Sequence, residues 1–270
     1  MDFGHLVTAG YTTIQGFLSK DEVDELLRIH ANAKNDFVQR GRHNGNYSIL
    51  YGSLTRSLIY KIERTIADIS NNTDIKSNRI LPSLMYFDNE LVSFSWHQDH
   101  EAYFRFQQAR SRLNFWIPLV KPDPVLSGLD VVPHDVFRQH AESIWQHHVI
   151  DQGAKTFHMR DGVQYMVDDN SDEEIQLPVS IDTMSVTPAV GPGDALILCG
   201  DTIHRSQPRQ GHRVSISVLT LDENVVLDRG VFNLGGNTKR RMIVQNSANY
   251  EKLKNLLDSG NTVTVRDLLG

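Results

Sequence analysis

Gly191-Pro192-Gly193-Asp194-Ala195-Leu196-Ile197-Leu198-Cys199-Gly200-Asp201 reads as a turn, a run of five apolar residues and a second turn. A short apolar run bounded by turn formers predicts a buried strand. The same pattern recurs upstream at residues 83–87, 91–96, 113–120, 126–132 and 185–187, and downstream at 213–221. Turn residues Asp88-Asn89 and Pro122-Asp123-Pro124 separate several of these runs. Many short strands without intervening helical periods predict a sandwich or barrel, not alternating βα units.

Helices flank this region. A strand over residues 11–17 hands over to a helix opened by a capping box, Ser19 with Glu22, and carried by Val23, Leu26, Leu27 and His30 at helical spacing. Residues 36–56, rich in Asn, Gly, Ser and Arg, predict a loop, either a pocket border or a solvated connector. A second helix is expected over 54–71. An insertion of about 50 residues (134–185) divides the β region. It begins with a helical stretch near 134–148, holds the acidic run Asp168-Asp169-Asn170-Ser171-Asp172-Glu173-Glu174, and is a candidate cover for the site. Such acidic runs are ordinarily solvated surface. Past the basic Lys239-Arg240-Arg241, a last amphipathic helix over 247–258 presents Tyr250, Leu253, Leu256 and Leu257 on one side and ends at Gly260.

The bulk numbers suit a single domain over 1–270. The chain has 40% hydrophobic and 22% charged residues and a net charge of −6. That balance gives no general attraction for nucleic acid or an anionic membrane. No apolar stretch long enough to span a bilayer is present, and the first residues lack a basic signal-peptide head. The lone Cys199 forms no internal disulfide, which fits a cytoplasmic protein, and its apolar setting predicts a buried strand residue rather than a nucleophile.

Chemistry concentrates in three short motifs: His97-Gln98-Asp99, then Gly200-Asp201 with His204, then Arg213-Val214-Ser215. Two imidazoles and a carboxylate occupy one face of a divalent iron and leave the other face open. In extended chain, His97 and Asp99 point the same way and Gln98 the opposite way. Arg213 begins an apolar strand, where an unpaired charge is costly, so it needs an anion. That anion is either a protein acid or, with a serine hydroxyl assisting, the distal carboxylate of 2-oxoglutarate.

With these motifs in hand, the chain resembles the Fe(II)- and 2-oxoglutarate-dependent dioxygenases of the phytanoyl-CoA dioxygenase-like family. The likeness is carried by Gly10-Tyr11 through Gly16-Phe17-Leu18-Ser19, Trp96-His97-Gln98-Asp99, Trp116-Ile117-Pro118-Leu119, Ser127-Gly128-Leu129 through Val132-Pro133, and Gly193-Asp194 through His204, Ser206 and Arg213. The resemblance implies a mainly β protein with flanking helices and a double-stranded β-helix (jelly-roll, cupin-like) core. It implies iron on His97, Asp99 and His204, and 2-oxoglutarate on Arg213 and Ser206, with Ser215 the hydroxyl of the Arg213 motif. The activity implied is decarboxylation of 2-oxoglutarate coupled, with O2, to oxidation of a small polar or anionic metabolite, hydroxylation above all. The carboxylate at Asp99 speaks for oxygenation over halogenation, because related halogenases carry a small residue there. The chain departs from the family pattern at Val132-Pro133-His134-Asp135 and in its long insertion, so phytanoyl-CoA does not carry over as substrate.

Further pocket candidates are Tyr86 and Asn114, on strands flanking the metal motif, and Tyr103 and Arg105 beyond it. Arg110 and Arg112 join them as recognisers of a substrate carboxylate or phosphate, against a solvated basic face. His147-His148 diverge on either a helix or a strand and are rejected as the metal site. Two other readings stand beside the oxygenase. One is a non-catalytic β-helix ligand-binding or sensing protein. The other is a cupin-like metal enzyme that does not use 2-oxoglutarate.

Overall fold

Strands read from alternating and apolar runs assemble into one large antiparallel sheet with helices on its outer face. The computed structural model describes residues 1–32, 38–43, 47–52, 54–87, 94–207, 212–260 and 262–270, with side chains at all of these except 38–43, 47–52, 82–83, 86–87 and 101–102. In chain order the elements begin α1 (Phe3–Ala9), β1 (Tyr11–Ile14), α2 (Lys20–Asn32), β2 (Val38–His43), β3 (Tyr47–Gly52), α3 (Arg56–Asn72), β4 (Arg79–Phe87), α4 (Glu101–Phe106), β5 (Leu113–Val120) and β6 (Leu129–Val132). The insertion contributes α5 (His134–Ile144), a π-helical turn (Trp145–Val149), β7 (Lys155–Arg160), β8 (Val163–Asp168), β9 (Glu173–Gln176) and a 3-10 turn (Ile181–Met184). The chain then closes with β10 (Ala195–Cys199), β11 (Ile203–Ser206), β12 (Val214–Leu221), α6 (Arg229–Asn233), α7 (Asn237–Gln245), α8 (Ser247–Asp258) and α9 (Val265–Leu269).

The major sheet runs β1-β10-β5-β12-β4-β3-β2. Period-two alternation sorts its side chains. Leu113, Phe115, Ile117 and Leu119 of β5, and Val214, Ile216 and Val218 of β12, join Leu26 of α2 and Leu58, Ile62 and Ile69 of α3 in the largest apolar cluster. Trp116, Leu196 and Leu198 face the other way and pack with Leu129 and Val131 of β6. The two sheets are therefore stacked through a shared interior. Cys199 lies in the outer cluster at 2% exposure, and burial pushes its thiol well up, as expected of a packing residue.

The minor sheet pairs β11 with β6, and β7-β8-β9 form a three-stranded ladder. Isolated bridges join them: His97 pairs with His204 on one side and with Thr156 on the other, and Val131 pairs with Val186. The insertion thus continues the minor sheet outward from the metal motif.

Several expectations need correction. Residues 38–43 and 47–52 are a hairpin, not a loop, because β3 carries the strand-favouring Tyr47, Ile49 and Tyr51 and hydrogen-bonds to β4, with β2 added as the sheet's edge. Of the strand expected at 91–96, residues 91–93 lie outside the described residues and 94–96 are not strand. The first strand stops at Ile14 before Gly16, which sits at φ +59°. Residues 126–132 narrow to 129–132 and 185–187 reduce to one bridge at Val186. The acidic run is half buried, with Asp169 and Asn170 each 2% exposed in the β8–β9 turn. The helix at 247–258 is not the last, since α9 follows.

Candidate metal centre and co-substrate pocket

His97 and His204 sit directly opposite each other and exchange both backbone hydrogen bonds, each N–H donating to the other's carbonyl at 3.0 Å. Directly paired residues project to the same face, which brings their rings to 4.4 Å between centroids. Each imidazole then bonds through Nδ1 to a carbonyl two residues upstream: His97 to Ser95 at 2.7 Å and His204 to Thr202 at 2.9 Å. Those contacts assign the proton to Nδ1 and leave both Nε2 lone pairs free toward the interior. Asp99 completes the set. Its Oδ1 lies 3.7 Å from His97 Nε2 and 3.9 Å from His204 Nε2, and the three ligand atoms lie within 4.8 Å of one another.

Charge favours a cation here. Burial, then the neighbouring His204, pull the His97 imidazole down to about 3, so it is neutral with its lone pair available near pH 7. Burial alone would push the Asp99 carboxyl up, but Arg112, His204 and His97 hold it well below the usual carboxylate range. An imidazole pair and an ionised carboxylate aimed at one point form a donor set suited to Fe(II). Donors at right angles about 2.1 Å from one ion stand about 3 Å apart, so ion binding would draw the Asp99 carboxylate and the two imidazoles together by about 1 Å.

Surrounding contacts hold this geometry. Gln98 points away, as alternation requires, and is fully buried; its Nε2 donates to the carbonyls of Val149 at 2.9 Å and Asp201 at 2.7 Å. Its backbone N–H donates to Lys155 at 3.0 Å, and Asp99 accepts from Ala154 N–H at 3.0 Å, so β7 cradles the motif. His100 Nε2 meets Asp169 Oδ2 at 2.5 Å, which ties the acidic run to the centre. The Gly200-Asp201 turn is equally constrained: a Cβ on Gly200 would fall 2.4 Å from the Ala109 carbonyl oxygen.

Deeper along the same interior, Arg213 is 2% exposed and its Nη1 donates to the Ser127 carbonyl at 2.8 Å. Ser206, two residues after His204 and on its face, is 6% exposed. Ser215 Oγ is fully buried and meets no hydrogen-bond partner among the described residues. An orphaned hydroxyl beside a buried guanidinium suits a carboxylate ligand such as the distal end of 2-oxoglutarate. Lys121 adds a second buried cation, its Nζ bonded to the carbonyls of Pro124 at 2.6 Å and Val190 at 2.9 Å. Burial first, and Arg213 next, pull it down to about 8. Sequence reading passed over Lys121 because nothing about a lysine after a strand marks it as buried.

Asn114 accepts a hydrogen bond from the Ser217 hydroxyl on the inner face. The Tyr86 side chain lies outside the described residues. Tyr103 packs with Phe104, Ala154 and Tyr250, and its hydroxyl donates to Gln152 Oε1 at 3.1 Å. The Arg105 guanidinium lies 4.9 Å over the Phe106 ring. Arg110 and Arg112 are both engaged within the protein. Arg110 Nη2 donates to the Val7 carbonyl at 3.0 Å, and Arg112, 7% exposed, donates through Nη1 to Asp99 Oδ2 at 2.8 Å. Spacing gave no signal for that ion pair, which depends on how the chain turns between α4 and β5. His147 bonds through Nδ1 to the Ser143 carbonyl on the π-helical turn, away from the centre.

The phytanoyl-CoA dioxygenase (PhyH) family profile matches residues 6–214. The chain belongs to the phytanoyl-CoA dioxygenase family. As a member it is an Fe(II)- and 2-oxoglutarate-dependent oxygenase. Among solved structures, the non-heme alpha ketoglutarate dependent epimerase SnoN from nogalamycin biosynthesis aligns at TM-score 0.54 and 17% identity, over 87% of this chain and 89% of that one. The carbocyclase SnoK from the same biosynthesis aligns at TM-score 0.53 and 15% identity, over 87% and 90%. SnoN has been crystallised with Fe3+, alpha ketoglutarate and nogalamycin RO. At such identities the likeness shows the fold of this dioxygenase, a double-stranded β-helix. No curated protein matches the chain. No described helix of the dioxygenase is long and apolar enough to cross a membrane.

Proposed function

We propose that His97, Asp99 and His204 hold Fe(II), that Arg213, Ser206 and Ser215 bind the distal carboxylate of 2-oxoglutarate, and that the enzyme hydroxylates a small polar metabolite. The observation that carries this reading is the convergence of two Nε2 lone pairs and one carboxylate oxygen within 4.8 Å, on the interior that also holds Arg213. Bound iron supplies the activation of O2 that couples decarboxylation of the keto acid to substrate oxidation. The protein's part is positional. The Nδ1 bonds to Ser95 and Thr202 keep both rings in register, and burial of the Arg213 guanidinium keeps its pairing with a carboxylate strong. A polar substrate is favoured over an anionic one, since Arg110 and Arg112 are engaged within the protein.

Succinate production with Fe(II), 2-oxoglutarate, O2 and substrate tests the reading, with His97→Ala and His204→Ala expected to abolish it. Undiminished turnover in either variant would remove the ligand assignment. Chelation of 2-oxoglutarate at Fe(II) also produces a visible charge-transfer band. Its absence at saturating keto acid would favour a metal enzyme that does not use 2-oxoglutarate.

A further inference from the structure

Arg112 stands out because its guanidinium has one polar partner among the described residues, and that partner is Asp99. The side chain is 7% exposed, Nη1 lies 2.8 Å from Asp99 Oδ2, and Nε is buried without a hydrogen-bond partner. Oδ2 is therefore spoken for, while Oδ1 is the oxygen that faces His97 and His204 at 3.7 and 3.9 Å. The backbone at Arg112 is fixed as well. Its N–H donates to Ala109 at 3.1 Å, and its carbonyl accepts from Gly200 at 2.7 Å. Gly200 lies four residues before His204, so the turn that presents the histidine also anchors the arginine.

We propose that Arg112 is a positioning residue: by holding Asp99 Oδ2 it turns Oδ1 toward His97 and His204, the direction in which the carboxylate would ligate. This rests on the metal-site reading given above. A guanidinium N–H bonded at 2.8 Å fixes Oδ2, so losing it frees the carboxylate to swing Oδ1 away from the two imidazoles. A second consequence follows. When the Asp99 side chain is removed, a buried guanidinium is left facing the vacated position, and a small carboxylate from solution is able to bind there.

The test measures Fe(II) affinity by competition with a coloured chelator, alongside thermal melting, in the full-length protein. Arg112→Met is expected to weaken Fe(II) binding about 10- to 100-fold, the range seen when a group supporting a metal ligand is lost, with Arg112→Lys recovering part of it. Asp99→Ala is expected to lose Fe(II) binding and to regain it with formate, whereas Asp99→Ala/Arg112→Met gains nothing from formate. Wild-type affinity in Arg112→Met, or equal formate rescue with and without Arg112, would overturn the inference. Should Arg112→Met not fold, the comparison in the Asp99→Ala background decides, since there both charges are removed together. Failure of the wild-type protein to bind Fe(II) overturns the metal-site reading itself, and the inference with it.

Discussion

The side chain between His97 and Asp99 turns away from the proposed metal site, yet it supports the motif. Gln98 is fully buried with both Nε2 protons on carbonyls, so Gln98→Ala strands the carbonyls of Val149 and Asp201 and opens a void. About 2–4 kcal/mol of stability should be lost. For a chain of this size that lowers Tm by roughly 5–15 °C, readable by differential scanning calorimetry. A shift under a degree would mean that the two hydrogen bonds contribute nothing net. In the proposed reading Arg213 holds the co-substrate, and the buried Lys121 adds its charge to the same end of the pocket. Arg213→Ala should raise the 2-oxoglutarate dissociation constant by about 10- to 150-fold, the scale of a charge-assisted pair. Lys121→Met should raise it about 10-fold, because its buried charge adds attraction from a distance. Neither substitution should alter binding of 2-oxobutyrate, which lacks the distal carboxylate. Equal weakening for both keto acids would place these cations away from the distal end.

Among elements, α2 is the best documented by sequence alone. The Ser19 N–H donates to Glu22 Oε2 at 2.7 Å and the Glu22 N–H to Ser19 Oγ at 3.3 Å, the reciprocal pair that the spacing predicts. The structure adds α3 to this cap: Ser57 donates to Glu22 Oε1, and Lys61 Nζ lies 2.5 Å from Glu22 Oε2. Burial pushes the Glu22 carboxyl up, but Lys61, Ser57 and Ser19 together hold it down at about 2, against an ordinary 4.5. A depressed carboxylate stabilises fully above its unfolded value and loses that contribution as pH falls through the folded one. Glu22→Gln should therefore cost about 1–2 kcal/mol at pH 7, and the Tm gap from wild type should close between pH 4.5 and 2. A gap independent of pH would detach the cap from this charge. Elements with clear periodicity, such as β5, β10, β12, α2, α3 and α8, were legible in the sequence because each carries enough residues to show a face. The short α1, α4, α6 and α9 span five to seven residues, too few for a helical period to emerge. The same contrast governs the site. His97, Asp99 and His204 announce themselves by residue type and spacing, whereas Arg112 and Lys121 look like any surface cations until the fold buries them.

At the scale of the whole molecule, the question is what the 134–185 insertion does. A hinged cover would touch the site by side chains and leave the metal motif intact when removed. Here the contacts are backbone ladder bonds: Gln98 N–H to Lys155 and Ala154 N–H to the Asp99 carbonyl, each at 3.0 Å, with Thr156 opposite His97. Trp96 Nε1 donates to Asp182 Oδ1 at 3.1 Å, and the Trp96 ring packs in a cluster with Phe137, Phe157, Met166 and Ile203. That cluster joins the insertion to β11, the strand that bears His204, so one apolar core supports both histidines. The proposed role is therefore structural, within a single domain: the insertion is the outer part of the minor sheet. Replacing residues 134–185 by a short glycine-serine linker between Pro133 and Val186 should abolish Fe(II) binding, not merely widen substrate access. Isothermal titration with Fe(II) under anaerobic conditions reads this directly. A folded deletion variant that binds Fe(II) as tightly as the intact chain would make the insertion a cover after all, and would place the whole burden of holding His97 on its pairing with His204.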